Sequence, residues 1–240
     1  MKKSRILFYD IETAPNLAYV WGKYEQDVIA YKSQWYLLSF AYKWLGKAKV
    51  HVVTLQDFPD KTDRALAKAL RRVLNSADIL IAHNGDEFDQ KKAKARFIYH
   101  NIKPLRIIPT IDTKKIAKKY FNFNSNSLND LGEYLRLGKK VPHNGFDLWL
   151  GCMKGDIKSW DLMRAYNKQD VVLLEKVYNK FLPWMHTHPN MALLRNQQTG
   201  CPKCGSMNIR KDGVRANSQT MQQQWKCKDC KGYYLTRYKK

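Results

Sequence analysis

Apolar residues come first in short continuous runs and later at helical spacing. Arg5 to Tyr9 form a brief apolar run that stops at Asp10 and is followed by Pro15, the pattern of a buried strand. Trp35 to Trp44 and Lys49 to Leu55 are rich in aromatic and β-branched residues with Gly46-Lys47 between them, which predicts an antiparallel hairpin. From Thr62 to Leu74 the spacing becomes helical, with Leu66, Ala69, Leu70 and Val73 on one face and Thr62 placed as cap. Ile79 to Ala82 reads as a second buried strand, Asp89 to His100 as a basic helix, and Leu105 to Ile108 as a short strand. Thr113 to Tyr120 and Leu128 to Leu135 predict two short helices separated by the polar run Asn122 to Ser127, and a long helix spans Trp160 to Phe181 before Pro183. This order implies an α/β fold whose mixed sheet has an antiparallel edge pair and flanking helices.

Periodicity is lost from Pro183 to Gly200. The expected organisation is therefore a main domain over 1–182, a linker over 183–200 and a small unit over 201–240. A chain of 240 residues suits one core-bearing domain with one accessory.

Charge adds a partner to this picture. There are 43 Lys and Arg against 21 Asp and Glu, a formal net charge of +22 spread along the chain, which points to a polyanion such as nucleic acid. No run approaches the roughly 18 apolar residues of a membrane span, and no long basic amphipathic helix stands out, so membrane binding is not expected. Asp10 interrupts the first apolar run too early for the apolar part of an export signal, and a reducing cytoplasmic setting is expected. Four of five cysteines lie in two Cys-x-x-Cys pairs, which in that setting reads as metal binding; Cys152 stands apart.

Three acidic groupings carry candidate chemistry. The period of two in a strand sends Asp10 and Glu12 to one face, where two like charges are costly unless a cation lies between them. In His83-Asn84-Gly85-Asp86-Glu87-Phe88-Asp89 a strand opens through a glycine turn into a helix, and Tyr166 and Asp170, four apart, share a helix face. Taken singly, the first and third groupings are better read as a solvated strand edge and an ordinary amphipathic helix, and the second fits a helix cap equally well.

Together and in this order they resemble the three motifs of the DEDD superfamily, 3′-5′ exonucleases with a ribonuclease-H-like fold. Asp10 and Glu12 match its D-x-E at the end of the first strand, Asn84, Phe88 and Asp89 its N-x-x-x-F-D turn, and Tyr166 and Asp170 its Y-x-x-x-D helix. Ala165 stands where the histidine variant would carry its His, which places the resemblance in the tyrosine branch. Two acids, Asp86 and Glu87, crowd the second motif, so Asp86 is the fallback for Asp89 there, and Asp112 is read as structural.

The resemblance implies hydrolysis of phosphodiester bonds from the 3′ end of DNA, with RNA open, using two Mg²⁺ or Mn²⁺ ions held by Asp10, Glu12, Asp89 and Asp170. Asp10 would bridge the ions, Glu12 and Asp170 would complete one site, Asp89 would support the other, and Tyr166 would orient water. An endonuclease on the same scaffold and a catalytically silent DNA-binding protein are the competing readings. Nucleic-acid contacts are expected from Asn84 and Phe88, and from the basic residues Lys91, Lys92, Lys94, Arg96, Lys114, Lys115, Lys118 and Lys119; Trp21, Tyr24 and Trp35 are candidate stacking surfaces. Single-stranded DNA or 3′ ends, and a polymerase or another replication or recombination protein, are the partners the resemblance brings to mind, and a compact standalone nuclease would suit a phage or mobile element.

Cys201-Pro-Lys-Cys204-Gly205 and Cys227-Lys-Asp-Cys230 have the spacing of a tetrahedral four-thiolate zinc site. The segment resembles the zinc ribbons of transposases, in which two such knuckles flank a β-hairpin. Ten basic residues face only Asp212 and Asp229 within 201–240, and Arg210, Lys211, Trp225, Tyr233 and Tyr234 are candidate nucleic-acid contacts; docking to a protein is the competing use.

Overall fold

The computed structural model describes residues 4–24, 27–60 and 62–238. Strand β1 (Ile6–Thr13) leads into a small ribbon of β2 (Leu17–Tyr19) and β3 (Ala30–Ser33), and then into the hairpin of β4 (Leu37–Trp44) and β5 (Val50–Thr54). Helix α1 (Arg64–Asn75), β6 (Ile79–Ala82), α2 (Asp89–Tyr99), β7 (Thr110–Asp112) and α3 (Thr113–Tyr120) follow. Next come α4 (Leu128–Tyr134), α5 (Asp147–Lys154), the long α6 (Ile157–Phe181) and the single turn α7 (Met191–Leu194). The strands β8 (Ile209–Ala216), β9 (Met221–Cys227) and β10 (Tyr233–Arg237) form a separate antiparallel sheet in the order β10-β9-β8.

The main sheet runs β5-β4-β1-β6-β7. β4 and β5 are antiparallel to their neighbours, whereas β6 and β7 continue parallel from β1. This is the mixed sheet with an antiparallel edge pair that the hydrophobic pattern predicts.

Alternation along β1 decides what each face does. Leu7, Tyr9 and Ile11 are buried with Leu66 and Leu70 of α1 and Phe97 of α2. Ile6 and Phe8 are buried on the other face with Val171, Leu174 and Tyr178 of α6, and the Phe8 and Tyr178 rings meet edge-on at 5.3 Å. Continuing that second register puts Asp10 and Glu12 on the face covered by α6.

Several elements differ from the sequence reading. The segment before β7 is no strand at Leu105 to Ile108. Pro104 and Pro109 bracket it, Ile107 is 98% exposed, and Arg106 is tied back to Asn75; the ladder starts where Leu80 pairs with Thr110. α1 begins at Arg64 rather than behind a Thr62 cap, because the Thr62 hydroxyl turns to Asp60 at 3.1 Å. The ribbon β2–β3 and helix α5 are additions, and α6 starts earlier, where Asp156 accepts from the Ser159 amide at 2.8 Å. The stretch 183–200 contains α7, and it buries Met185 and Met191 in the cluster that holds Phe181.

Candidate functional site

Where β1 passes under α6, carboxylate oxygens of Asp10, Glu12 and Asp170 all lie within 4.8 Å of one another. Each is held from a different element. Asn167, fully buried on α6, donates from Nδ2 to Asp10 Oδ2 at 2.6 Å and accepts from Ser39 Oγ of β4 at 3.0 Å. Trp149 of α5 donates its indole N–H to Glu12 Oε2 at 3.3 Å. Lys140, in the loop between α4 and α5, donates from Nζ to Asp170 Oδ2 at 2.6 Å and to the Tyr166 hydroxyl at 2.9 Å. The Tyr166 ring is in turn boxed edge-on by His143 and Trp149.

Proton affinities show how much negative charge is compressed here. Burial pushes the Asp10 carboxyl well above the usual range, and the charges of Asp89, Asp170 and Glu12 push it further. Burial first, then Asp170, raises Glu12 to about 8. Asp170 is also raised by burial, against the opposing pull of Lys140. Tyr166 is raised by burial and by the neighbouring acids, so its phenol keeps its proton at neutral pH.

Asp89 stands beside the trio, outside its 4.8 Å grouping. It is buried at the start of α2, accepts from the Ile11 amide at 3.0 Å, and is raised to about 7, chiefly by burial. Asp86 faces elsewhere, paired with Lys115 at 2.8 Å and accepting from Thr110 at 3.0 Å. Asp112 caps α3 and accepts from the amides of Lys114, Lys115, Asn84 and Asp86.

The chemistry of the donor set fits a hard divalent cation. The ligands are all oxygens, their mutual repulsion needs a counter-charge, and Asp170 Oδ1 is buried with no hydrogen-bond partner. Lys140 satisfies only the other oxygen of that carboxylate.

The sequence model of the RNase H superfamily matches residues 7–182, a span that includes every one of these acids. The chain belongs to the RNase H superfamily. No curated protein matches its sequence. Among solved structures, the family B DNA polymerase from the hyperthermophilic archaeon Pyrobaculum calidifontis is similar over 80% of this chain, with a TM-score of 0.57 and 16% identity. That likeness is one of fold, and the match spans 26% of the polymerase chain. The fold is thus of nuclease type, and the acid trio gives this RNase H superfamily member a place for the divalent ions such nucleases usually use.

The predicted nucleic-acid contacts are placed unevenly around this RNase H-like core. Lys92 lies over the Trp35 ring at 3.8 Å, on the wall of a 380 Å³ cleft that Thr13, Phe146 and Trp149 also line. Phe88 is partly exposed nearby, whereas Asn84 takes a left-handed φ of 64° and gives its amide to Asp112. Lys91 pairs with Glu87. Arg96 is not available to phosphates: Asp63 holds it at 2.7 Å, together with His100. In the C-terminal sheet Arg210 pairs with Asp212 at 3.3 Å, Lys211 is exposed, and Trp225 stacks on Tyr234.

The four paired cysteines converge, with Cys201 and Cys230 Sγ 3.7 Å apart and Cys204 and Cys227 Sγ 3.6 Å apart. All four sulfurs lie within 4.8 Å of one another, a donor set that suits zinc. Cys152 lies apart beneath Leu148 and Trp160, its thiol pushed up to about 12 by burial.

Sequence reasoning missed Lys140, Asn167, Ser39 and Trp149. Asn167 sits inside the Tyr166–Asp170 stretch and could have been noted as a polar residue on a helix that must cover a strand. Lys140 had no local signal beyond an ordinary basic pair with Lys139.

Proposed function

We propose that this chain is a metal-dependent 3′-5′ exonuclease of the DEDD tyrosine branch. The observation that carries the reading is the meeting of Asp10, Glu12 and Asp170 with one buried, unpartnered carboxylate oxygen among them, and Tyr166 at their edge. Asp10, Glu12 and Asp170 would hold one Mg²⁺ or Mn²⁺, and Asp89, next to Asp10, would help hold a second. Such ions activate the attacking water and neutralise the charge-rich phosphorane-like transition state.

The chain's own groups supply position. Asn167 fixes the orientation of Asp10 through Ser39, and the Trp149 indole fixes Glu12. Tyr166 remains a phenol and so acts by aiming a water through a hydrogen bond rather than by removing its proton. Lys140 holds that hydroxyl and one oxygen of Asp170 at once, and it adds positive charge where the scissile phosphate would enter. The DNA polymerase that shares the fold supports a polynucleotide substrate, and DNA is the one proposed. Residues 1–182 would be the catalytic unit and 201–240 a zinc ribbon that helps hold the strand.

The test is Mg²⁺-dependent digestion of end-labelled DNA and RNA strands. Release of mononucleotides from the 3′ end is expected, with Asp10→Ala and Asp170→Ala losing cleavage while retaining binding. Internal cuts would replace the exonuclease with an endonuclease on this fold, and undiminished cleavage by Asp10→Ala would remove the assignment altogether.

A further inference from the structure

Two depressions flank the segment between α6 and α7. One, of about 510 Å³, lies between Asp86, Asp112, Lys115 and Lys119 on one side and His186 to Pro189 on the other. The second, of about 300 Å³, lies between that segment and the three-stranded sheet, reaching Arg215 and Tyr233. His186 and His188 line both, so the two adjoin at these side chains and together make an interrupted groove from the main sheet to the four-cysteine unit.

The inner end of the groove lies toward the same strand ends as the carboxylate site, though none of the site's acids lines it. β1, β6 and β7 are parallel, with Phe8 opposite Ile81 and Ala82 opposite Asp112. Asp10 therefore lies toward the same C-terminal strand ends as Asp86 and Asp112, the latter two strands away across β6.

The free charge along the groove is positive. Asp112 accepts from four backbone amides, which tie down its oxygens but leave its charge, and Asp86 is paired with Lys115; Lys119, Lys203 and Arg215, which also line the groove, make the sum positive. Lys119 and Arg215 are exposed and have no acidic partner among the described residues. Tyr233 presents a ring that is 40% exposed, with Lys226 against it at 5.2 Å. A cationic track with an aromatic stacking surface is what an unpaired strand requires, since a duplex has no free base face to offer a tyrosine.

The floor is also fixed before any ligand arrives. The Tyr120 hydroxyl accepts from the His186 amide at 3.2 Å, and the Tyr178 hydroxyl meets His188 Nε2 at 2.9 Å. Lys203, buried in the four-cysteine unit, donates to the Pro183 carbonyl at 2.6 Å and so ties that unit to the same segment. The backbone of the floor therefore needs no reordering on binding.

We propose that a single-stranded polynucleotide runs along this groove, its backbone held by Lys119 and Arg215 and a base stacked on Tyr233, on its way to or from the carboxylates. The proposal rests on the nuclease reading for its direction, though not for binding itself.

The experiment compares wild-type protein with a Lys119→Glu, Arg215→Glu double variant, and with a Lys119→Gln, Arg215→Gln pair as the milder change. Fluorescence polarisation with long single-stranded DNA and RNA, without divalent metal, reads binding, and hydrolysis of a dinucleotide with Mg²⁺ reads the active site. Charge reversal should weaken long-strand binding on the order of tenfold and flatten the logarithmic salt dependence by about 1.4, two phosphate contacts' worth. Dinucleotide turnover should stay unchanged. Equal affinity and salt slope in all proteins would overturn the groove, as would a parallel loss of dinucleotide turnover. If no protein hydrolyses anything while polarisation still separates the variants, the nuclease reading fails and the groove stands.

Discussion

Asp170 concentrates the physics of the site in one carboxylate: one oxygen is taken by Lys140 and the other is buried without a partner. Removing the ammonium would leave that charge uncompensated. Lys140→Met should destabilise the metal-free protein by about 2 to 3 kcal/mol, below the ~3–5 of a fully buried pair because Lys140 is partly exposed. Mg²⁺ should restore part of this in a thermal melt, and equal melting of variant and wild type in chelator would show that the pair is energetically idle. The raised carboxyls give a pH signature with a definite sign. Glu12 ionises near its ordinary 4.5 when unfolded but at about 8 when folded, so the folded state holds more protons in between. Its contribution is full below 4.5 and is lost as pH rises through 8, with Asp10, Asp89 and Asp170 raised in the same direction. Metal-free protein should therefore melt progressively lower from pH 5 to pH 8, and the rise in Tm on adding Mg²⁺ should grow across that window. A Mg²⁺ effect that is constant with pH would mean that these carboxyls are not what the ion meets.

At the scale of elements, α5 and α6 meet closely at Gly151. A Cβ on Gly151 would lie 2.0 Å from Ser159 Oγ and 2.7 Å from its Cβ, and the second contact cannot be relieved by rotating the hydroxyl. Gly151→Ala must push α5 outward, at about 1–3 kcal/mol. Because α5 carries Trp149 onto Glu12, turnover should fall together with Tm; unchanged kinetics would mean that the indole contact is dispensable. The same elements mark what could be read beforehand. Strand alternation placed Asp10 and Glu12 together, and the four-residue spacing placed Tyr166 with Asp170, because both patterns are local consequences of backbone geometry. Lys140 was invisible because it approaches from an aperiodic loop, 30 residues from Asp170. Arg96 misled for the converse reason: it sits in a basic run, while the Asp63 that occupies it lies 33 residues earlier. A strand at Leu105 to Ile108 satisfied hydropathy, but the ladder of β6 determines where pairing begins, and it reaches only Thr110.

Across the whole molecule, the contrast lies between a layered main body and a C-terminal sheet that has almost nothing to bury. β8 and β10 contain no buried residue, and the buried side chains of 201–238 are few: Cys201, Lys203, Gln223 and Cys227. Apolar burial on that scale does not offset the backbone entropy of ordering three strands, so a metal on the four thiolates would have to supply the difference. One side of the cluster is shared, since Cys204 and Cys230 pack against the core group that includes Met185 and Met191. Stripping the thiolate-bound metal, or making Cys204→Ser, should therefore abolish amide-exchange protection in β8–β10 and lower the main-body Tm only modestly. With Mg²⁺ restored, dinucleotide hydrolysis should persist, because every carboxylate of the site lies before residue 182, while affinity for long strands falls as Arg215 and Tyr233 lose their positions. Protection of β8–β10 that survives complete removal of the metal would mean that side-chain packing alone folds the unit. Equal loss of dinucleotide turnover would instead mean that the unit braces α6, and with it Tyr166 and Asp170, through the Lys203 bond to Pro183.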